Sequence, residues 1–403
     1  MKKIYLLMLS ALVVVLGGCR KDFEQVRAVR LTLQLEFPDA FIKGSVPKDV
    51  EVTLRNNITG ELIKAKTDEE GKVVDTVIPG TYTVTASKAY SPEETSELLG
   101  NEEEIFVNGN LSPVIVNEEK VAVLKLKSSR AGGLVIREFY YSAITASPSY
   151  LYDGFTEIYN NSNEPIRIDS LYMGSTRAGA TNNTSASAPY NFLTAYPEEV
   201  YLNQVFMVPS TGQPRFLEPG KSLVIAISGL NHKSDPNGNK NSPVDLGDAD
   251  FEVFWDYPTG RDIDYPDVPN MVHAFAGNTA GFDWNIGING AGMVIFNTKD
   301  FDKLPVRFEP DAKTAGTTQY IGIPVSDIID GVDATANATI FLSNKRLPIS
   351  VDASMTTAEV PLKGRSVRRK VKTVINGRTI FVDTNNSSAD FEVNLIPSPR
   401  KWN

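Results

Sequence analysis

Val29-Arg30-Leu31-Thr32-Leu33-Gln34-Leu35-Glu36 decides the fold class. Aliphatic residues at Val29, Leu31, Leu33 and Leu35 alternate with polar ones, the two-residue period of a strand with one buried face. Val50, Val52 and Leu54 repeat the alternation, and Asn56-Asn57-Ile58-Thr59-Gly60 turns the chain into a returning strand over residues 61–66. Thr67-Asp68-Glu69-Glu70-Gly71 is a second turn, where an Asp side chain bonds nearby backbone and Gly71 accepts positive φ. Pro79-Gly80 is a third, and Tyr82, Val84 and Ala86 share a face beyond it. Val121, Val123, Leu124 and Leu126 close the unit. Short strands at this spacing predict a small antiparallel β-sandwich over residues 30–128.

The rest of the chain points the same way. Its 29 Gly and 24 Pro demand frequent turns, which favours short strands over long helices. A length of 403 residues, 41% hydrophobic and 22% charged, fits a globular protein of two or three domains. Ser128-Ser129-Arg130-Ala131-Gly132-Gly133 is a linker. Leu134-Val135-Ile136-Arg137-Glu138-Phe139 and Phe155-Thr156-Glu157-Ile158-Tyr159-Asn160 then open a second strand-rich region, residues 132–403. The prediction is an all-β protein of two β-sandwich domains.

Both regions resemble known families. Asp49-Val50-Glu51-Val52-Thr53-Leu54, Thr59-Gly60, Thr67-Asp68-Glu69-Glu70-Gly71 and Val77-Ile78-Pro79-Gly80-Thr81-Tyr82-Thr83-Val84 resemble the carboxypeptidase-regulatory, or transthyretin-like, sandwich. That resemblance implies a structural or adhesive unit with no catalytic residues. Glu157-Ile158-Tyr159-Asn160, Leu217-Glu218-Pro219-Gly220-Lys221-Ser222-Leu223, Gly364-Arg365-Ser366-Val367-Arg368-Arg369 and Asp383-Thr384-Asn385-Asn386-Ser387-Ser388-Ala389-Asp390-Phe391 resemble the lamin-tail domain, an immunoglobulin-like sandwich. Here the chain departs from the family by long loop insertions at about residues 174–216 and 230–320. The whole arrangement is similar to an uncharacterised family of Bacteroidota lipoproteins, which supplies context but no site residues.

The amino terminus gives an address. Met1-Lys2-Lys3, an apolar run over residues 4–15 and the small pair Gly17-Gly18 form a secretory signal peptide, residues 1–18, too short to span a membrane. Leu16-Gly17-Gly18-Cys19 resembles the bacterial lipobox, and Cys19 is the only cysteine. The resemblance implies cleavage before Cys19 and lipid (a palmitate among the acyl chains) on the mature protein. Residues 19–29 then form a lipidated tether. Arg20-Lys21-Asp22-Phe23-Glu24-Gln25 resembles the charged signals that send such lipoproteins to the cell surface. The expected location is the outer membrane, lipid-anchored and surface-exposed. Removing residues 1–18 takes Lys2 and Lys3, leaving 38 basic against 49 acidic side chains and a net charge of −11. That balance argues against a nucleic-acid partner, whose phosphates it repels. With its one cysteine acylated, the chain has no thiol for redox chemistry or a thiolate metal site.

Catalytic signatures are missing: the sequence holds neither a His-Glu-x-x-His helix nor a Gly-x-Ser-x-Gly elbow. His232 and His273, the two histidines, have no partner at a recognisable spacing. Asp235-Pro236-Asn237-Gly238-Asn239-Lys240-Asn241 imitates a calcium loop, but Lys240 and Leu246 stand where glycine and an acid are required, so a turn is the better reading. The acidic stretch around residues 91–110 reads as a solvated loop, or as a calcium or partner patch. Arg365, Arg368, Arg369, Lys370 and Lys372 fit a strand with an exposed basic face, or a docking face for an acidic partner. Ala249-Asp250-Phe251-Glu252-Val253 and Ala389-Asp390-Phe391-Glu392-Val393 match, each marking a turn into a strand.

Residues 251–284 form the most informative insertion. Trp255, Tyr257, Asp262, Asp264, Tyr265 and Trp284 place aromatic rings beside carboxylates, as a glycan or peptide platform requires. Their alternative role is to furnish the insertion with its own small core. A third reading uses Asp256, Asp262, Asp264 or Asp267 as the carboxylates of a hydrolase. The sequence as a whole reads as a non-catalytic accessory or binding lipoprotein without cofactor or metal. Its expected partners are the membrane through Cys19, a TonB-dependent nutrient transporter or other surface lipoproteins, and a glycan or peptide ligand. The alternatives are a surface hydrolase and a structural or adhesion protein.

Overall fold

The structure is a computed structural model that describes residues 27–100, 105–130, 133–144, 150–177, 192–256, 262–277, 284, 286–310, 318–335 and 345–402. Cys19, the signal peptide and most of the tether lie outside the described residues, as does Tyr257.

Among the described residues, eight strands build the first unit: β1 (Val29–Glu36), β2 (Glu51–Asn56), β3 (Leu62–Lys66), β4 (Lys72–Val77), β5 (Gly80–Tyr90), β6 (Ile105–Val116), β7 (Lys120–Lys125) and β8 (Lys127–Arg130). Alternation does what the sequence predicts: Leu31, Leu33 and Leu35 are buried while Arg30, Thr32, Gln34 and Glu36 keep contact with water. β1 sits at the centre of a three-stranded sheet, antiparallel to β4 and parallel to β7. The second sheet has the order β3-β2-β5-β6-β8. Leu33, Leu54, Val84, Val107 and Leu124 belong to one apolar cluster drawn from both sheets.

The acidic stretch after β5 is not a loop throughout. Helix α1 (Pro92–Leu99) starts there, because Ser91-Pro92-Glu93-Glu94 is a capping box with proline in the first turn. The Ser91 hydroxyl accepts from the Glu94 N–H at 3.3 Å, and the Glu94 carboxylate accepts from the Ser91 N–H at 2.9 Å. Glu102-Glu103-Glu104 lies outside the described residues.

The second unit continues with β9 (Leu134–Tyr140), β10 (Phe155–Asn160), β11 (Ile166–Arg167), β12 (Tyr172–Ser175), β13 (Glu199–Leu202), β14 (Gln204–Met207), β15 (Phe216–Leu217), β16 (Ser222–Ala226), β17 (Phe251–Glu252) and β18 (Val272–Ala276). It ends with β19 (Gly292–Phe296), β20 (Val306–Phe308), β21 (Gln319–Pro324), β22 (Ile328–Thr335), β23 (Thr356–Thr357), β24 (Ser366–Arg369), β25 (Val371–Ile375), β26 (Arg378–Phe381) and β27 (Phe391–Asn394). Two six-stranded sheets, β17-β16-β10-β9-β24-β27 and β18-β14-β12-β19-β22-β23, form its frame. Ile136, Ile158, Leu223 and Val367 from the first meet Met173, Phe206, Met293 and Val332 from the second in a shared core. The protein is thus all-β, built from sandwiches.

The stretches read as insertions are woven into this frame. β14, β18 and β19 are strands of the second sheet, and β13 pairs with β21 in a further three-stranded sheet. The two Ala-Asp-Phe-Glu-Val copies end up on opposite edges of one sheet, as β17 and β27. Each phenylalanine is buried and covered by an arginine, Arg215 over Phe251 at 5.2 Å and Arg369 over Phe391 at 4.8 Å. The hairpin between β25 and β26 turns at Asn376-Gly377, both at positive φ, the pairing that suits a two-residue turn.

Charge is buried inside the second unit. Arg137, with no exposed surface, pairs with Glu138 and with Glu157 at 2.8 Å. Arg369 departs from the exposed basic face that the sequence predicts. It shares the parity of the core residue Val367 on β24, so it points inward and pairs with Asp330, Asp383 and Asp390. Its neighbour Arg368 has the opposite parity and pairs with Glu392 at the surface.

Candidate functional site

Trp255, His273 and Trp284 of the 251–284 stretch lie, with Phe206, in a ladder that runs into the core. The Trp255 ring lies 4.6 Å from His273, His273 stacks on Phe206 at 5.0 Å, and Phe206 meets Trp284 at 5.2 Å. Trp284 is 1% exposed and its indole N–H donates to the Ser175 hydroxyl at 3.0 Å, so the ring face is spent on packing. Trp255 is buried too, at 6% exposure. These two rings form core, the alternative role read for them, and offer no open stacking platform.

The carboxylates divide. Asp262 accepts from the Trp255 N–H at 2.9 Å, and the exposed Asp264 accepts from the Asn270 amide at 2.9 Å. Asp256 and Asp267 stand at the surface. The residue that draws this loop together is Glu252, fully buried on β17, which accepts from the Gly229 N–H at 2.7 Å and the Tyr265 N–H at 2.8 Å. Burial pushes its carboxyl up to about 7, and Asp264 and Asp262 nearby push the same way. Both oxygens hold backbone, which makes Glu252 a staple between two loops. Tyr265 is half-buried beside it, and burial raises its hydroxyl above the usual range.

The two histidines are packed. His232 is fully buried between the Tyr150 hydroxyl, 2.7 Å from Nδ1, and the Ser228 carbonyl, 3.1 Å from Nε2. A carbonyl only accepts, so Nε2 carries the proton and Nδ1 accepts from Tyr150. Burial lowers this imidazole to about 4. In the loop that imitates a calcium site, Asp235 accepts from the Asn237 N–H at 2.7 Å and Asn239 from the Asn241 N–H at 3.0 Å, which are turn bonds.

A large cavity lies elsewhere, at the junction of the two units. It is a groove of about 730 Å³ between the outer face of the β3-β2-β5 sheet and Ser354, Asn386, Ser388 and Ala389 of the second unit. Ligand sites of drug size commonly fall in this range. The strand period builds its floor: Val52 and Leu54 turn into the first core, which leaves Glu51, Thr53 and Arg55 facing out. Register then lays three rows across the sheet, Lys66-Glu51-Ser87, Lys64-Thr53-Thr85 and Leu62-Arg55-Thr83. On the other wall Asn386 is 7% exposed, and its side-chain oxygen has no hydrogen-bond partner among the described residues. Beside the groove the units touch through polar groups: the Asn110 amide donates to the Ala353 carbonyl at 3.5 Å, and Lys127 pairs with Glu198 at 2.6 Å.

Sequence reading missed this groove because its walls lie some 300 residues apart in the chain, and each wall is ordinary strand or turn on its own. The signal that was available is the outward triplet Glu51, Thr53 and Arg55, whose side chains are polar without interruption.

With this geometry in hand, the carboxy-terminal region can be placed. Residues 218–398 match the model of DUF4876, a family described as a protein of unknown function. The match covers much of the second unit, including Asn386 and Ser388 of the groove. A DUF4876 family protein from Bacteroides thetaiotaomicron VPI-5482 has a similar crystal structure, with a TM-score of 0.60 and 23% identity over 93% of this chain and 97% of that one. The two share a fold. A DUF3823 family protein from Parabacteroides merdae overlaps 38% of this chain and 67% of its own, at 10% identity and a TM-score of 0.17. No curated protein matches the chain. Both findings are consistent with the resemblance to an uncharacterised Bacteroidota family.

Proposed function

We propose that this chain is a non-catalytic, lipid-anchored accessory or binding protein of the outer membrane, held by lipid on Cys19 and working beside a TonB-dependent nutrient transporter. The observation that carries the reading is the groove of about 730 Å³ at the junction of the two units, floored by rows of mostly polar side chains. Strand register fixes the floor side chains in rows, so a ligand bound there pays less for ordering that wall. The lipobox Leu16-Gly17-Gly18-Cys19 supports the address, and the first unit serves as a spacer that lifts the groove from the membrane.

The test is isolation of the intact lipidated protein from gently solubilised outer membranes, followed by glycan and peptide binding. The reading expects a β-barrel transporter in stoichiometric amounts and a bound ligand class. Recovery of the protein alone, with no glycan or peptide bound, would overturn it.

A further inference from the structure

We infer that the groove takes an anionic saccharide, a chain of sugars carrying carboxylates of the uronate type. This rests on the binding reading above and adds the chemistry of the ligand.

Two features of the groove set that chemistry. The first is charge. In a protein with a net charge of −9, this groove is lined by Lys64, Lys66 and Arg55 against one carboxylate, Glu51. Glu51 and Lys66 are 3.9 Å apart and both largely exposed, a loose pairing that leaves the lysine able to turn to a ligand. Lys64 stands one row along the same edge strand, so the two ammonium groups face one side of the groove in series. A repeating anion along a chain matches that spacing better than a single ion does.

The second feature is the demand for hydroxyl donors. The Asn386 side-chain oxygen is an acceptor, is buried at the opposite wall, and has no partner among the described residues. A buried unpaired acceptor is costly, so a ligand O–H or N–H that reaches it gains more than an ordinary hydrogen bond supplies. Ammonium groups on one wall and an acceptor on the other call for a ligand with both carboxylates and O–H donors. Uronate sugars carry both. The floor between, Thr53, Thr85 and Ser87, consists of hydroxyls that donate and accept alike, as sugar hydroxyls need.

An acidic peptide would satisfy the lysines, but strand addition uses backbone groups on a sheet edge. This groove lies over the face of the sheet, where side chains and not backbone groups are presented. The observations therefore favour the saccharide.

The experiment is calorimetric titration of the full chain with trigalacturonate and a hyaluronan tetrasaccharide, with galactotriose and hexaglutamate as controls. At least one uronate probe should bind, with affinity falling as salt rises and falling at least tenfold in K64A/K66A. The double variant should keep the melting temperature of the parent, since both lysines are exposed. Asn386→Ala should weaken binding with no change in its salt dependence. Equal binding of galactotriose would overturn the anionic inference and leave the binding reading standing. Binding of hexaglutamate alone would overturn the saccharide class. No binding by any probe would overturn both.

Discussion

Replacing Arg369 with leucine tests a buried cluster of four charged side chains. The guanidinium donates to both oxygens of Asp330, at 2.8 and 2.7 Å, and to Asp383 and Asp390 at 3.1 and 3.2 Å. It also serves the Ile136 and Val382 carbonyls, each at 2.9 Å. The arginine is 2% exposed, and Asp330 and Asp390 are 2% and 1% exposed. Leucine would fill much of the space and leave those carboxylates buried without a cation. Removing one partner of a buried pair costs roughly 3–5 kcal/mol, and three facing acids put this case at the upper end. A domain stable by about 5–15 kcal/mol loses much of its margin. Burial already raises Asp330 despite the arginine, and without Arg369 it rises further. A carboxyl raised in the folded state favours folding at low pH and penalises it as pH climbs through the folded value. R369L should therefore recover part of its loss at pH 5 relative to pH 8. Urea denaturation followed by tryptophan fluorescence reads this directly, because Trp255, Trp284 and Trp402, the only tryptophans, all lie in the second unit. A loss below about 1 kcal/mol, or one no smaller at pH 5, would refute the reasoning.

Further expectations concern pH, capping and the anchor. Burial raises Glu252 to about 7 and Asp153 and Asp352 to about 6, so each adds stability below the ordinary carboxylate range and loses it as pH rises through 6–7. His232, lowered to about 4, works the other way and costs stability as pH falls below 6.5. Three carboxyls outweigh one imidazole, so the urea midpoint should be lower at pH 8 than at pH 5, and Glu252→Gln should flatten the slope; a midpoint that rises with pH contradicts this. Ser91→Ala should cost about 1 kcal/mol through its capping box and speed amide exchange over residues 92–99 without changing exchange in β9 or β10. Cys19→Ser should move the protein to the soluble fraction, and retention on the membrane would end the anchor reading.

The first unit was legible because strands such as β1 and β2 are buried on one side, so alternation shows in the sequence. α1 was legible as well: Ser91-Pro92-Glu93-Glu94 spells its cap, yet the run of acids drew attention first. The second unit was harder. Every residue of β9 and β10 is buried, because Val135 and Tyr159 pack outward against Phe381 and Trp402 while Ile136 and Ile158 face the core. Such strands do not alternate. β12 and β13 have four residues each and pair with β19 and β21, more than a hundred residues on, so their membership in a sheet left no local trace. The same limit hid the site. Trp255 and Trp284 have the composition of a platform and the geometry of a core, and only tertiary contacts separate the two. Arg369 against Arg368 was readable by parity, since one shares the face of Val367 and the other does not.

The central claim, that the groove between the units is the binding site, is tested most directly by filling it. Thr53→Trp and Ser388→Trp place an indole on each wall in turn, at positions that belong to neither core cluster. Titrated with the probe that binds the parent chain, both variants should keep the melting temperature and lose at least tenfold in affinity. Parent-like affinity in both would place the site elsewhere and contradict the account.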